Sequence, residues 1–154
     1  MYTLGIDIGS TATKGVILCD GNTIVANKTI GVGTGTSGAK RVLDFILSDS
    51  DLTLQDISCV VATGYGRTTF ELADTQISEL SCHSKGASWQ FPSARTVIDI
   101  GGQDAKAIKL DGKGGMVNFV MNEKCAAGTG RFLDVMAGVL ETSVDQLEDL
   151  DLAS

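Results

Sequence analysis

The segment IDIGSTATK, residues 6–14, is the most informative part of this chain because it returns as IDIGGQDAK at residues 98–106. In each copy an aspartate ends an apolar run, glycine follows, and a lysine stands seven positions after the aspartate. This pattern predicts a strand, a tight glycine turn and a second strand. The N–H groups of such a turn can cradle phosphate, and the aspartate beside it can hold hydrated Mg²⁺. One copy alone is typical of an ordinary hairpin, whereas two matching copies favour a duplicated phosphate site.

The composition limits the class of protein. The chain has 154 residues, 43% of them hydrophobic, which is enough for one ordinary domain or two small lobes. A net charge of −7 argues against nucleic-acid or membrane-surface partners held by bulk charge. No apolar run approaches the ~20 residues of a membrane span. The start of the sequence lacks a basic region followed by an apolar block, so we expect no secretory signal and a cytoplasmic location.

Hydrophobic periodicity predicts an α/β protein that repeats one opening, a three-stranded antiparallel meander. Helices are expected after a Ser37 cap and in three later segments, and a buried strand between the first two helices. The predicted lobes are residues 1–94 and 95–154. The predicted strands cover residues 3–8, 15–19, 23–29, 57–62, 96–100, 105–110 and 116–121, and the helices cover residues 40–47, 73–85, 131–140 and 144–150.

Two loops are further candidates for ligand contact. Residues 31–38 are rich in glycine and threonine, but no Gly-Lys-Ser/Thr closes them, so they form either a plain loop or a phosphate loop. Residues 63–67 directly follow a predicted buried strand, where ligands bind in α/β proteins. This second loop is either a ligand contact, a hinge or a plain connection.

The four cysteines, Cys19, Cys59, Cys82 and Cys125, are spread along the chain without a CxxC pair. A disulfide framework is therefore not expected. Cys82 and the only histidine, His83, are adjacent on a predicted helix and point apart, which favours packing or a subunit contact for both.

Cys125 precedes a predicted helix and stands beside Lys124, and both features stabilise a thiolate, the form that binds iron or attacks as a nucleophile. A buried structural cysteine remains the alternative. No second cysteine lies nearby in the sequence, which disfavours a cluster held by one chain but not one shared across a two-fold axis.

The duplicated hairpin resembles the actin, sugar-kinase and Hsp70 superfamily of ATP-binding folds. Further motifs make the chain resemble the activators of 2-hydroxyacyl-CoA dehydratases, a family that includes the benzoyl-CoA reductase ATPase subunits. The motifs that carry this resemblance are DIGSTA (7–12), TGYGR (63–67), SELSCH (78–83), DIGGQD (99–104) and KCAAGTGRFL (124–133). The cysteine loop is the most specific of them, because general sugar kinases lack it.

The resemblance implies an actin-like (ribonuclease H-like) fold, with ATP bound between the lobes of each subunit. It also implies a homodimer in which one [4Fe–4S] cluster is held by two cysteines from each subunit. ATP binding and hydrolysis would let the cluster pass one low-potential electron to a 2-hydroxyacyl-CoA dehydratase. A low-potential electron donor such as ferredoxin or flavodoxin would then reduce the cluster again.

The resemblance also assigns roles residue by residue. Cys125 matches one cluster ligand. Asp7 and Asp99 match the carboxylates that organise Mg²⁺ and water, and Gln103 is a candidate for orienting the attacking water. Lys14 either approaches phosphate or only pairs with a carboxylate. The phosphate turns correspond to Gly9, Ser10 and Thr11, and to Gly101, Gly102 and Gln103.

The family's second cluster cysteine and its adenosine motif lie beyond the point that matches Ser154. The resemblance therefore implies an N-terminal part, with both lobes incomplete, whose activity by itself is in doubt. Two other readings stay open. A sugar- or acetate-kinase-type phosphotransferase would transfer phosphate to a small acceptor without iron, and a non-catalytic lobe module would fold or dimerise without turning over ATP.

Overall fold

The computed structural model of the protein describes residues 1–122 and 126–152. The chain divides into two compact units, Met1–His83 and Ser84–Ser154. No helix in the described part of the chain is both long and apolar enough to cross a membrane.

The first unit is built on a five-stranded sheet. The hairpin strands β1 (Tyr2–Ile8) and β2 (Thr13–Cys19) pair antiparallel, and β3 (Thr23–Ile30) continues the meander. The strands β4 (Ile57–Thr63) and β5 (Thr75–Gln76) add in parallel on the other side of β1, which gives the order β3-β2-β1-β4-β5. The predicted antiparallel opening is confirmed.

Helix α1 (Gly38–Asp49) packs on one face of this sheet, and the core of the unit lies between them. Its buried side chains Val42 and Ile46 approach Gly15 of β2 so closely that a Cβ there would lie 2.5 Å from Val42 Cγ1. Leu4, Ile6 and Ile17 on the same face are fully buried. The period-2 alternation in β1 therefore sends these apolar residues to α1, and sends Asp7 to the opposite face.

The second unit contains a three-stranded antiparallel sheet, in the order β6-β7-β8. Its strands are β6 (Thr96–Ile100), β7 (Ala105–Leu110) and β8 (Met116–Asn122). Its helices are α3 (Gly130–Val139), which follows a 3₁₀ turn at Ala126–Gly128, and α4 (Leu147–Leu152), which follows a 3₁₀ turn at Val144–Gln146. The predicted repeat of the three-strand opening is thus confirmed.

The predicted helix over residues 73–85 is wrong in its bounds. Residues Thr75–Gln76 form β5, and helix α2 runs from Glu79 to Gln90, across the division between the units. Asp74 causes the difference, because its carboxylate accepts the Val60 N–H at 2.7 Å and draws the segment along β4. Helix α2 therefore begins six residues later than predicted and ends five residues later.

The predicted cap of α1 is also corrected. Ser37 does precede the helix, but its side chain makes no capping hydrogen bond. The hydroxyl of Thr36 accepts the Gly38 N–H instead, at 3.1 Å. The N–H at the start of α1 is thus satisfied by Thr36, the residue before the predicted cap.

Candidate functional site

The first glycine turn joins β1 to β2 and places an aspartate opposite a lysine. Asp7 and Lys14 are cross-strand partners, and Lys14 Nζ lies 2.9 Å from Asp7 Oδ2. The Gly9 N–H closes the turn on the Ala12 carbonyl at 3.0 Å. Both charged side chains keep access to solvent, with 24% of Asp7 and 46% of Lys14 exposed. This end of the hairpin thus offers one carboxylate and one ammonium beside a glycine.

The two candidate loops pack against this first turn. In the loop at residues 31–38, the Thr34 N–H donates to the Gly9 carbonyl at 2.8 Å, and the backbone of Gly33 contacts that of Ser10. In the loop at residues 63–67, the Gly66 N–H donates to the Ile8 carbonyl at 2.8 Å. Both loops therefore support the shape of the first turn. Whether either also contacts a ligand stays a prediction.

Gly64 shows why the second loop needs glycine. Its φ is +83°, and a Cβ at this position would overlap Asp7 Oδ1 and lie 2.6 Å from the Ile8 carbonyl oxygen. Only glycine adopts this conformation without strain and lets the loop reach the carboxylate. The loop thereby packs against Asp7 Oδ1, whereas Lys14 contacts Asp7 Oδ2.

A cavity of about 360 Å³ lies on the Asp7 face of the first unit. Asp7, Lys14, Lys28 and Cys82 line it together with Thr63, whose hydroxyl is buried without a hydrogen-bond partner in the described structure. Cys82 and His83, predicted to pack or to contact a subunit, lie on α2, and Cys82 is half-buried.

The second glycine turn joins β6 to β7 and repeats the first in part. Asp99 and Lys106 are again cross-strand partners, and the Gly101 N–H donates to the Asp104 carbonyl at 2.8 Å. However, Lys106 Nζ lies 3.4 Å from Asp99 Oδ2 and only 2.6 Å from Asp104 Oδ1. The lysine of the second copy thus contacts an extra carboxylate that the sequence motif contains but that our sequence interpretation gave no role.

The second turn is also joined to helix α3. The Gly130 N–H, at the start of α3, donates to the Gly101 carbonyl at 2.8 Å. A Cβ on Gly130 would lie 3.2 Å from that carbonyl oxygen, so the contact is close. The predicted phosphate turn and the helix that follows the cysteine loop therefore share a hydrogen bond.

The turn amides fit a phosphate ligand. Within the described residues, the N–H groups of Ser10 and Thr11, and those of Gly102 and Gln103, donate to no protein acceptor. Thr11 and Gln103 are exposed, while Ser10 and Gly102 are partly exposed. Each turn thus presents unused donors next to a partly exposed aspartate, Asp7 or Asp99. Carboxylate oxygen is the donor type that Mg²⁺ prefers.

The predicted iron ligand Cys125 lies outside the described residues. Cys19, Cys59 and Cys82 are half-buried free thiols. Among residues 1–122 and 126–152, no three cysteine, histidine or acidic side chains are grouped to hold a metal ion.

Two hairpin units with these turns define a mixed α/β protein of the actin-like ATPase fold. The sequence matches the BadF/BadG/BcrA/BcrD ATPase family over residues 4–154, and the chain belongs to that family. The resemblance inferred from the motifs is thereby confirmed.

Among its relatives, the activator of lactoyl-CoA dehydratase from Anaerotignum propionicum is 62% identical over 98% of this chain and 58% of its own length. The solved activator of 2-hydroxyisocaproyl-CoA dehydratase from Clostridium difficile, with bound ADPNP, is 57% identical with a TM-score of 0.95, covering 100% of this chain and 57% of its own. Component A of the (R)-2-hydroxyglutaryl-CoA dehydratase from Acidaminococcus fermentans is 55% identical with a TM-score of 0.94, covering 100% and 60%. The chain thus spans somewhat over half the length of these relatives.

Proposed function

We propose that this chain provides the phosphate-binding turns of an ATP-dependent activator of a 2-hydroxyacyl-CoA dehydratase. The observation that carries the proposal is the pair of glycine turns, each with unused amide donors, a partly exposed aspartate and a cross-strand lysine. The names of the close relatives supply the partner class, and the ADPNP bound to one of them supplies the nucleotide class.

We assign separate roles in binding Mg²⁺ and ATP to the backbone amides and to the side chains of the two turns. The amides of Ser10 and Thr11, and those of Gly102 and Gln103, donate to phosphate oxygens. Asp7 and Asp99 hold hydrated Mg²⁺, and the exposed amide side chain of Gln103 orients the water that attacks the terminal phosphate. Lys14, whose ammonium would lie 3.4 Å from a Cβ on Gly9, adds positive charge at the first turn. We retain residues 1–94 and 95–154 as the proposed lobes.

We further propose that Cys125 is one of the two ligands that each copy gives to a [4Fe–4S] cluster in a dimer, with the family's second cysteine as the other ligand of each copy. When bound, such a cluster supplies a single low-potential electron for the dehydratase, and ferredoxin or flavodoxin would return it. What this chain contributes is the hydrogen bond between Gly130 and Gly101, which ties the helix after the cysteine loop to a phosphate turn. Phosphate binding at the second turn would thereby act on the start of α3.

Nucleotide binding by calorimetry tests the first part of the proposal. We expect the chain to bind Mg·ADPNP, and we expect Asp7→Asn and Asp99→Asn each to weaken that binding about tenfold or more, since each removes a charged Mg²⁺ ligand. Asp44→Asn, on the outer part of α1, is the control and should bind normally. Failure of a chain extended over the relatives' adenosine motif to bind any adenine nucleotide would refute the nucleotide site.

Anaerobic reconstitution with iron and sulfide tests the second part. In a chain extended to include the family's second cysteine, Cys125→Ser should lose the bound iron and sulfide, while the matched variant Cys82→Ser should keep them. Full iron retention in Cys125→Ser would contradict the ligand assignment.

A further inference from the structure

Strand β7 and the residue before it place two ionisable side chains on a face that is otherwise apolar. Asp104, directly before β7, and Lys106 share this face with Ile108 and Leu110, and all four are buried. Only 4% of the Asp104 side chain and 3% of the Lys106 side chain are exposed. Charged groups are rarely buried to this extent unless they are paired. Their 2.6 Å contact provides that pairing.

The first hairpin has no such pair, although its sequence is similar. The position that corresponds to Asp104 holds Ala12, and Lys14 is half-exposed beside Asp7. In β2, Lys14 lies on the face opposite to the buried Thr13, Gly15 and Ile17. The two hairpins therefore bury opposite faces, and only the second one places its lysine inside the protein.

Asp104 also shapes the second glycine turn through its main chain. Its carbonyl accepts the Gly101 N–H, and a Cβ on Gly101 would lie 2.5 Å from Asp104 Oδ1. The Gly101 carbonyl in turn accepts the Gly130 N–H at the start of α3. A continuous series of contacts thus runs from Lys106 through Asp104 and Gly101 to Gly130.

We propose that Asp104 is a positioning residue of the second turn. It holds Lys106 inside the second unit, and it fixes the turn at Gly101 against the first amide of α3. A role of Asp104 in transmitting nucleotide binding to α3 rests on the proposed function. Its role in holding the Gly130 amide against Gly101 does not.

The alternative partner of Lys106 explains what the Asp104 carboxylate prevents. Asp99 Oδ2 already lies 3.4 Å from Lys106 Nζ, and the corresponding pair in the first hairpin is closer, at 2.9 Å. Without the charge of Asp104, Lys106 moves toward Asp99. The lysine then competes with Mg²⁺ for Asp99, and the side chain at position 104, which packs under Gly101, loses the ionic contact that anchors it.

Amide hydrogen exchange measured by NMR tests this proposal. The variant is Asp104→Asn, which keeps the shape and removes the charge. The matched control is Asp111→Asn, because Asp111 lies at the other end of β7 and also accepts backbone N–H groups. We expect Asp104→Asn to speed exchange of the Gly101 and Gly130 amides at least about tenfold relative to the β6–β7 ladder, and Asp111→Asn to leave both unchanged.

A double variant, Asp104→Asn with Lys106→Met, covers the case in which the single variant unfolds, since it leaves no buried lysine charge without a partner. The double variant also lacks the ion pair, so it should speed exchange of the Gly130 amide as well. Unchanged exchange at Gly130, or equal acceleration throughout the second unit, would overturn the positioning role.

Addition of Mg·ADPNP separates this proposal from the proposed function. We expect the nucleotide to slow Gly130 exchange in the wild type and to have little effect on it in Asp104→Asn. If the wild type does not respond to nucleotide while Asp104→Asn still releases Gly130, the nucleotide function fails and the positioning role stands. If the nucleotide slows Gly130 exchange equally in both, the coupling role of Asp104 is refuted.

Discussion

Lys14 and Asp7 face each other across β2 and β1, and the ammonium of Lys14 lies 2.9 Å from the carboxylate of Asp7. Because Lys14 is half-exposed, the pair resembles a surface ion pair, which contributes only about 0–1 kcal/mol to stability. Such a weak pair is poorly explained by stability alone. Its place beside the first glycine turn suggests that the lysine acts on a ligand.

We therefore expect Lys14→Met to change ligand binding more than stability. The free energy of unfolding should fall by less than about 1 kcal/mol, measured by urea denaturation. The dissociation constant for Mg·ADPNP should rise about tenfold, because a charge-assisted contact to phosphate is lost. Lys28→Met, which removes another lysine lining the same cavity, is the control and should leave affinity near the wild-type value. A large loss of stability with unchanged affinity would make Lys14 a structural residue.

Gly64→Ala should disturb the first turn through Asp7. The substitution forces alanine into φ +83° and sets its Cβ against the Asp7 carboxylate, so we expect a cost of about 1–3 kcal/mol and weaker nucleotide binding. Gly35→Ala separates the two effects, because Gly35 has φ +76° but open space around it. Gly35→Ala should show the backbone strain without the loss of binding. Equal binding by both variants would remove the Gly64 loop from the site.

The duplicated hairpins could be predicted from the sequence because each motif combines alternating apolar residues with its own turn, and these signals are local. The strand at Thr75–Gln76 could not, because Asp74 reaches Val60 fourteen residues earlier, and no local pattern records such a contact. The start of α2 could be predicted in part, because a serine at position 78 is a typical capping residue. In the structure the Ser78 hydroxyl accepts the Ser81 N–H at 3.3 Å.

The burial of Asp104 and Lys106 illustrates a different limit. Their alternation with Ala105 and Ala107 gives no sign of which face is covered, and charged side chains normally indicate the solvent face. The two hairpins look alike in sequence and still bury opposite faces. What lies over each sheet is set by the rest of the fold, so motif similarity could not predict the difference.

Gly15→Ala should destabilise the first unit, because the added methyl meets Val42 Cγ1 at 2.5 Å and Ile46 Cδ1 at 3.0 Å. Overpacking of this kind costs about 1–3 kcal/mol, measurable as a lower urea midpoint. Gly5→Ala is the matched control from the neighbouring strand, since its methyl would only touch Val16 Cγ1 at an ordinary 3.5 Å. Similar losses in both variants would contradict the tight packing of α1 on β2.

Asp111 gives the fold a dependence on acid pH. Its pKa lies below the ordinary 3.8 because the carboxylate accepts hydrogen bonds from the N–H groups of Lys113 and Gly115. A group with a lowered folded pKa contributes its stabilisation above the unfolded value of 3.8, and loses it as the pH falls through the folded pKa. We expect an NMR titration of the Asp111 carboxyl to give a value below 3.8, and Asp111→Asn to flatten the fall in stability over that range. Lys113→Ala removes the nearby charge but keeps the N–H donor, so the pKa should stay below 3.8; a return to 3.8 would assign the shift to the lysine charge instead.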